Sequence, residues 1–194
     1  MSLPGVYETF NEKWKNSQSF WIISDPHFND SELADGISGR PTGEELVKLI
    51  NSCVGRKDTL ICLGDVGDIE CARQLRGYKV LIMGNHDTGR TNYEGVFDEV
   101  YEGPLMIGEK LILSHEPIPG ITWAINLHGH DHQGKKSDKY HFNFCADIIG
   151  YKPVNFNQWL KQGHQAKVES LHRTTIDKAT DRKKKRGGKK IGQK

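Results

Sequence analysis

Apolar residues occur along the chain in short runs, each ending at a cluster of small or polar residues. Ser19–Ser24 is an aromatic and β-branched run that stops at Asp25-Pro26-His27, and it predicts a first strand. Thr59–Leu63 stops at Gly64-Asp65 and Lys79–Met83 at Gly84-Asn85-His86-Asp87, predicting two more. Between the first two runs, Leu46, Val47, Leu49 and Ile50 form an apolar stripe at helical spacing within about Glu44–Val54. Thr42 and Glu45 stand as a capping box at its start. A shorter helix is predicted around Ile69–Leu75, closing at Gly77. Strand, helix, strand, helix, strand with short links is an α/β pattern that favours parallel pairing.

The second half has a different rhythm. Leu105–Ile107, Gly108-Glu109 and Lys110–Ser114 read as a hairpin with a glycine-initiated turn. Ile125–Leu127 and Phe142–Ile149 are further predicted strands, and Asn157–Gln162 is a short helix ending at Gly163. This half is expected to be more antiparallel than the first. The polar segment Asn29–Gly39 reads as a loop able to face a substrate.

Composition adds a division that the pattern alone does not show. The 194 residues carry a formal charge of +2, yet every acidic residue lies at or before Asp181. Residues 1–181 hold 19 basic and 25 acidic groups, and the last 13 residues hold eight basic groups and no acid. The body is thus net −6 and the tail +8. We expect one folded domain over residues 1–177 and a disordered basic tail over 178–194. The tail could anchor nucleic acid or another polyanion, act as a localisation or partner signal, or serve as a solubilising extension. No apolar run approaches the ~20 residues that span a bilayer, and Met1–Phe10 lacks the pattern of a signal peptide. Four cysteines without paired spacing are expected to be reduced and buried, in a cytoplasmic protein.

The candidate chemistry sits at the strand ends. Asp25 and His27 follow the first strand, Asp65 the second, and Asn85 and His86 the third. His115 follows the hairpin, and His128, His130 and His132 follow the next strand. Sites in open α/β sheets form outside the carboxyl ends of strands, so these segments are expected to converge. Imidazole mixed with carboxylate and no thiol suits Mn, Fe, Zn or a related divalent ion. Seven ligands exceed one tetrahedral ion; they fit two ions about 3.5–4 Å apart that share one carboxylate, Asp65 being the natural bridge. His130 and His132 would share one side of an extended segment.

Taken in order, Asp25-Pro26-His27, Gly64-Asp65-Val66-Gly67-Asp68, Gly84-Asn85-His86-Asp87, Ser114-His115-Glu116 and Gly129-His130-Asp131-His132 resemble the motif series of the calcineurin-like metallophosphoesterases. The resemblance runs from about Ile22 to Leu160. A small bacterial and phage subgroup is similar also around Gly39-Arg40-Pro41 and Gly150-Tyr151-Lys152-Pro153. The resemblance implies a four-layer α/β/β/α sandwich with mixed sheets. It implies two divalent metal ions (Mn, Fe, Zn or Ni, with Mn favoured), one on Asp25, His27 and His132, the other on Asn85, His115 and His130, with Asp65 bridging. His86 would stabilise the transition state or protonate the leaving oxygen, and Asp87 would orient its imidazole. Pro26 departs from the family, which often has threonine or another small residue there; it removes no ligand.

The implied activity is hydrolysis of phosphate esters by metal-activated hydroxide. The basic tail inclines the reading towards a phosphodiesterase on nucleotides or nucleic acid. Alternatives are a phosphomonoesterase using the same site, a non-catalytic binding scaffold, and a nucleic-acid-binding module. Metal identity, natural substrate and oligomeric state are not legible. Other residues have plainer readings. Asp68 is expected to cap a helix and His128 to pack beneath the site. Arg40 and Arg90 read as solvated loop arginines, with phosphate binding as the alternative. The tryptophans read as packing or cleft-wall residues.

Overall fold

The structure is a computed structural model and describes residues 8–134, 137–164, 168 and 180. Apart from Thr180, the basic tail expected at 178–194 lies outside the described residues, as does most of the segment 165–177. The elements run α1 (Phe10–Lys13), β1 (Phe20–Ile23), α2 (Ser31–Gly36), α3 (Gly43–Cys53), β2 (Thr59–Cys62), α4 (Ile69–Arg73) and β3 (Tyr78–Ile82). A 3-10 turn at Arg90–Tyr93 leads to β4 (Glu99–Tyr101), β5 (Leu105–Ile107), β6 (Leu111–Leu113), β7 (Ile125–His128) and β8 (His141–Asn143). The described chain closes with α5 (Ala146–Ile149), β9 (Val154–Asn155) and α6 (Phe156–Lys161).

Two mixed sheets result. The first has the order β4-β3-β2-β1-β9, with β1 to β4 parallel and β9 antiparallel at the edge. The second has the order β5-β6-β7-β8. The central strands β1 and β2 are largely buried on both faces, as parallel strands should be, and residues of β1, β2 and β3 alternate between two cores. Ile22, Ile61, Leu63, Val80 and Ile82 pack with Leu113, Ile125, Leu127 and Phe142 of the second sheet. Ile23, Leu60, Cys62 and Leu81 instead meet Leu46, Val47 and Ile50 of α3 and Cys71 and Ala72 of α4. The helix stripe expected from the sequence is therefore the one that covers the first sheet. The predicted α/β sandwich with mixed sheets holds. Among the described residues, Ile112 of the second sheet packs with Ile121 and Ala124 of the loop before β7, and Met106, Ile118 and Trp123 pack against them.

Local chemistry explains the element ends. Thr42 and Glu45 form the expected capping box on α3, satisfying amides that the helix leaves unpaired. Asp68 caps α4 by accepting from the Glu70 amide at 2.9 Å.

Three expectations need correction. Phe142–Ile149 is not one strand: β8 stops at Asn143 and α5 begins at Ala146. Between them the Phe144 amide donates to the His128 carbonyl in the second sheet, while the Ser24 amide donates to the Phe144 carbonyl from the first. The chain crosses between sheets there, and its hydrophobicity reflects that buried crossing rather than a continuing ladder. Segment 29–39 is not all loop, since Asp30 accepts from the Leu33 amide and starts α2. The second sheet is also less antiparallel than expected: β5 and β6 form the hairpin, but β6, β7 and β8 are parallel.

Candidate metal centre

The site lies at the carboxyl ends of β1, β2, β3, β6 and β7, where five loops leave the two sheets. Their backbones are cross-tied. The Asp25 amide donates to the Gly64 carbonyl at 3.0 Å, His27 to Asp65 at 3.0 Å, and Gly129 to His115 at 2.8 Å. Among the described residues, six non-glycine positions have a positive φ: Asp25, His27, Asn29, Asp65, His130 and Tyr151. Four of these are predicted ligands. Such backbone is disfavoured for L-residues and persists only where surroundings over-determine it, a condition that clusters at functional sites.

All seven predicted ligands come together. Donor atoms of Asp25, His27 and Asp65 lie within 4.8 Å of one another, as do those of Asp65, His115 and His130. Asn85 joins the second group, its Oδ1 standing 2.8 Å from His115 Nε2 and 3.0 Å from His130 Nδ1. His132 faces the first group, with Nε2 3.6 Å from Asp25 Oδ1.

Hydrogen bonding behind the rings tells which atoms face inward. His115 Nδ1 lies 2.9 Å from the Leu63 carbonyl oxygen, which can only accept, so that nitrogen donates. His27 Nδ1 meets the Asp30 carboxylate at 3.1 Å, and His132 Nδ1 meets the Asp147 carboxylate at 2.6 Å. In each neutral ring the remaining Nε2 then presents a lone pair to the interior. Around His115 Nε2 stand Asn85 Oδ1, His130 Nδ1 at 3.1 Å and Asp65 Oδ2 at 3.3 Å, more acceptors than one proton could serve. Ligands about 2.1 Å from a single cation stand roughly 3.0–3.4 Å apart, which is this spacing.

The two carboxylates follow one plan. Asp65 Oδ1 accepts the His86 amide at 2.9 Å, leaving Oδ2 to face His27 Nε2 and His115 Nε2. Asp25 Oδ2 accepts the His130 amide at 2.9 Å, while Oδ1 is buried with no hydrogen-bond partner. An orphaned carboxylate oxygen of this kind is costly unless a cation meets it. The donor set and this orphan together fit divalent metal.

Electrostatics agree. Burial alone would raise the Asp65 pKa; when Nε2 of His115 and of His27 carries a proton, hydrogen bonds from these rings and from the His86 amide hold it well below the usual carboxylate range. Burial also works against charge on His115, yet Asp65 and Asp25 raise its pKa overall; Asp147 does the same for His132. Burial lowers His128, which turns Nδ1 to the Gly129 carbonyl at 2.8 Å and packs beneath the centre.

His86 is exposed at the rim, its ring centroid 5.4 Å from that of His27. Asp87 does different work from its neighbours. Its carboxylate accepts from the Gly84 amide at 2.8 Å, Asp65 at 2.9 Å, Val66 at 3.0 Å and the Tyr93 hydroxyl at 2.8 Å. What it visibly positions is the pair of loops after β2 and β3. Gly84 is required here for space: an added Cβ would lie 2.2 Å from Asp65 Oδ1. Gly84→Ala should push that carboxylate aside, lowering unfolding free energy by about 1–3 kcal/mol and reducing bound metal. Denaturant unfolding and elemental analysis check both effects.

Several residues were not anticipated. Asp30 and Asp147, which back His27 and His132, carry no local signal, and Cys145 comes close enough to form a group with Asp25 and His132. Burial and the Asp25 charge push the Cys145 thiol pKa up. Arg40 corrects its sequence reading. Its side chain is 2% exposed and paired with Asp147, so it is neither solvated nor free for a substrate. Arg90 is exposed.

A mixed α/β sandwich with imidazoles and carboxylates converging at its strand exits defines a protein with a histidine–carboxylate centre of metal-ligand character. The chain belongs to the calcineurin-like phosphoesterase family, whose sequence pattern matches residues 19–181. None of the curated proteins matches it. Among solved structures it is similar to a protein of unknown function from Aquifex aeolicus, at 22% identity and a TM-score of 0.62. That match covers 74% of this chain and 98% of the other, and at such identity it speaks for the fold. Among the described residues no helix is long and apolar enough to cross a membrane.

Proposed function

We propose that the chain is a dinuclear metal-dependent phosphoesterase acting on phosphodiesters, with nucleotides or nucleic acid as the substrate class. Asp25, His27 and His132 hold one ion in this reading, Asn85, His115 and His130 the other, and Asp65 serves both. The observation that carries it is the set of inward imidazole lone pairs beside two buried carboxylates, one of which, Asp25, keeps a partnerless Oδ1. Family membership supplies the reaction class. Imidazole and carboxylate donors without thiolate favour Mn, with Fe, Zn and Ni compatible.

Two divalent ions at such a centre supply an acidified water and positive charge for the phosphoryl oxygens. The chain's own residues supply the rest. His86 stands at the exposed rim where a substrate can reach it, its loop pinned by the His86 amide on Asp65. Its imidazole can hand a proton to the departing oxygen and help disperse charge in the transition state. Asp87 serves His86 through the backbone of their shared loop, by holding Gly84 and Asp65 together. Residues 1–177 form the catalytic body and 178–194 a basic arm that holds a polyanion. Four free cysteines suit a cytoplasmic setting.

The test is an activity panel of mono-, di- and cyclic phosphate esters in Mn²⁺, Ni²⁺ and Mg²⁺, with metal content measured on the same protein. We expect hydrolysis that a chelator abolishes and Mn²⁺ restores, faster on diesters than on monoesters. Deleting residues 182–194 should leave turnover of small esters unchanged and weaken salt-sensitive binding to nucleic acid. Chelator-insensitive turnover, or none on any ester, would overturn the reading. Faster monoester turnover would move the substrate class to phosphomonoesters.

A further inference from the structure

Two short segments, Gly39-Arg40-Pro41 and Gly150-Tyr151-Lys152-Pro153, contribute no ligand to the centre, yet the fold brings them together behind it. Arg40 Nη1 bonds both oxygens of Asp147, a residue 107 positions away. Its Nη2 donates to the carbonyls of Asp25 at 3.1 Å and Pro26 at 2.8 Å, which belong to the turn bearing two of the predicted ligands. The Tyr151 ring lies under the guanidinium, 5.8 Å from Arg40 Cζ, and burial together with nearby Asp147 pushes its hydroxyl pKa up. Asp147 in turn accepts from His132 Nδ1. One planar guanidinium thus links the backbone of the Asp25-Pro26-His27 turn to the imidazole that faces Asp25 from the other sheet.

The backbone supports the same grouping. Among the described residues, two non-glycine positions of positive φ are not predicted ligands: Asn29, two residues beyond His27, and Tyr151, which at 63° follows Gly150 at 75°, the left-handed end of α5. Strain therefore falls on the ligand turns and, behind them, on Tyr151. A solvated loop arginine would need neither the burial nor this pairing, and lysine, with a single nitrogen, could not serve Asp147 and the two turn carbonyls from separate donors.

We infer that Arg40, Asp147 and Tyr151 act as one positioning device, which holds His132 and the Asp25-Pro26-His27 turn in register and so sets the affinity of the first ion. This rests on the dinuclear reading above. The second half of the centre has an anchor of its own outside the device, since His115 is held by the Leu63 carbonyl. Disturbing the device should therefore weaken one ion and spare the other. Partners of ligating histidines typically contribute about 10–100-fold in metal affinity.

Mn²⁺ titration of the full chain, followed by calorimetry and electron paramagnetic resonance, tests this. The unaltered protein should take up two ions that show magnetic coupling. Asp147→Asn and Arg40→Lys should keep one ion at unchanged affinity and bind the other about 10–100-fold more weakly, giving an isolated Mn²⁺ signal at one equivalent. Tyr151→Phe removes only a hydroxyl and should weaken the same ion several-fold; it decides the matter if the buried-charge variants do not fold. Unchanged affinity for both ions in the folded variants overturns the inference. So does equal weakening of both, which a merely structural role would produce. An unaltered protein that binds no divalent ion would instead overturn the phosphoesterase reading, and this inference with it.

Discussion

Asp65→Asn should lower turnover by roughly 10³-fold or more and leave the chain unable to retain both ions. Asp65 Oδ2 faces both halves of the centre, at 3.4 Å from His27 Nε2 and 3.3 Å from His115 Nε2. An amide at this position keeps the volume and can still accept the His86 amide proton. It cannot keep the negative charge. The neighbours that depress the Asp65 pKa favour its ionised form. The substitution thus separates charge from shape, and elemental analysis with steady-state kinetics reads both consequences. Near-normal metal content together with near-normal turnover would remove Asp65 from the bridging position.

His86→Gln should do the reverse, sparing the metal and damaging the chemistry. The His86 ring is not among the converging donors, and its structural tie to Asp65 runs through the backbone amide, which a side-chain change leaves in place. Metal content should match the unaltered protein while kcat falls by about 10²–10⁴, the usual scale for a positioned proton donor. The loss should be greater for esters with basic alkoxide leaving groups than for nitrophenyl esters, whose leaving group needs no proton. An equal loss on both would assign His86 to charge stabilisation alone. No loss on either would remove it from the mechanism.

Most of the predicted elements were recovered because the information was local. Ser19–Ser24, Thr59–Leu63 and Lys79–Met83 are largely buried on both faces, so their continuous hydrophobicity is itself the strand signal, and glycine or aspartate marks each exit. The same logic failed at Phe142–Ile149, where burial comes from crossing between sheets and a run of apolar residues hides a strand end and a helix start. It failed again at β6–β8. Pairing direction there depends on which strand each neighbour meets, and the residues between strands do not record that.

The candidate site divides in the same way. Asp25, His27, Asp65, Asn85, His115, His130 and His132 were identifiable because each sits one to five residues beyond a strand whose end the local pattern marks. Which nitrogen of each ring faces inward was not, since it depends on Asp30, the Leu63 carbonyl and Asp147 standing behind the rings. Arg40 shows the limit most plainly. In the sequence it is a charged residue between glycine and proline; in the fold it is buried against Asp147, 107 residues on, and bonded to the turn that carries Asp25.

By itself, then, the chain's sequence determined the order of strands and helices, the strand exits and the donor types at each exit, because those follow from propensity, alternation and turn chemistry among neighbouring residues. Only the tertiary structure decided which donors stand within reach of one another, which ring nitrogens are backed by hydrogen bonds and what holds His132 in place. Those relations are distances between residues far apart in the chain, and they arise when two sheets stack and their loops are tied together by hydrogen bonds.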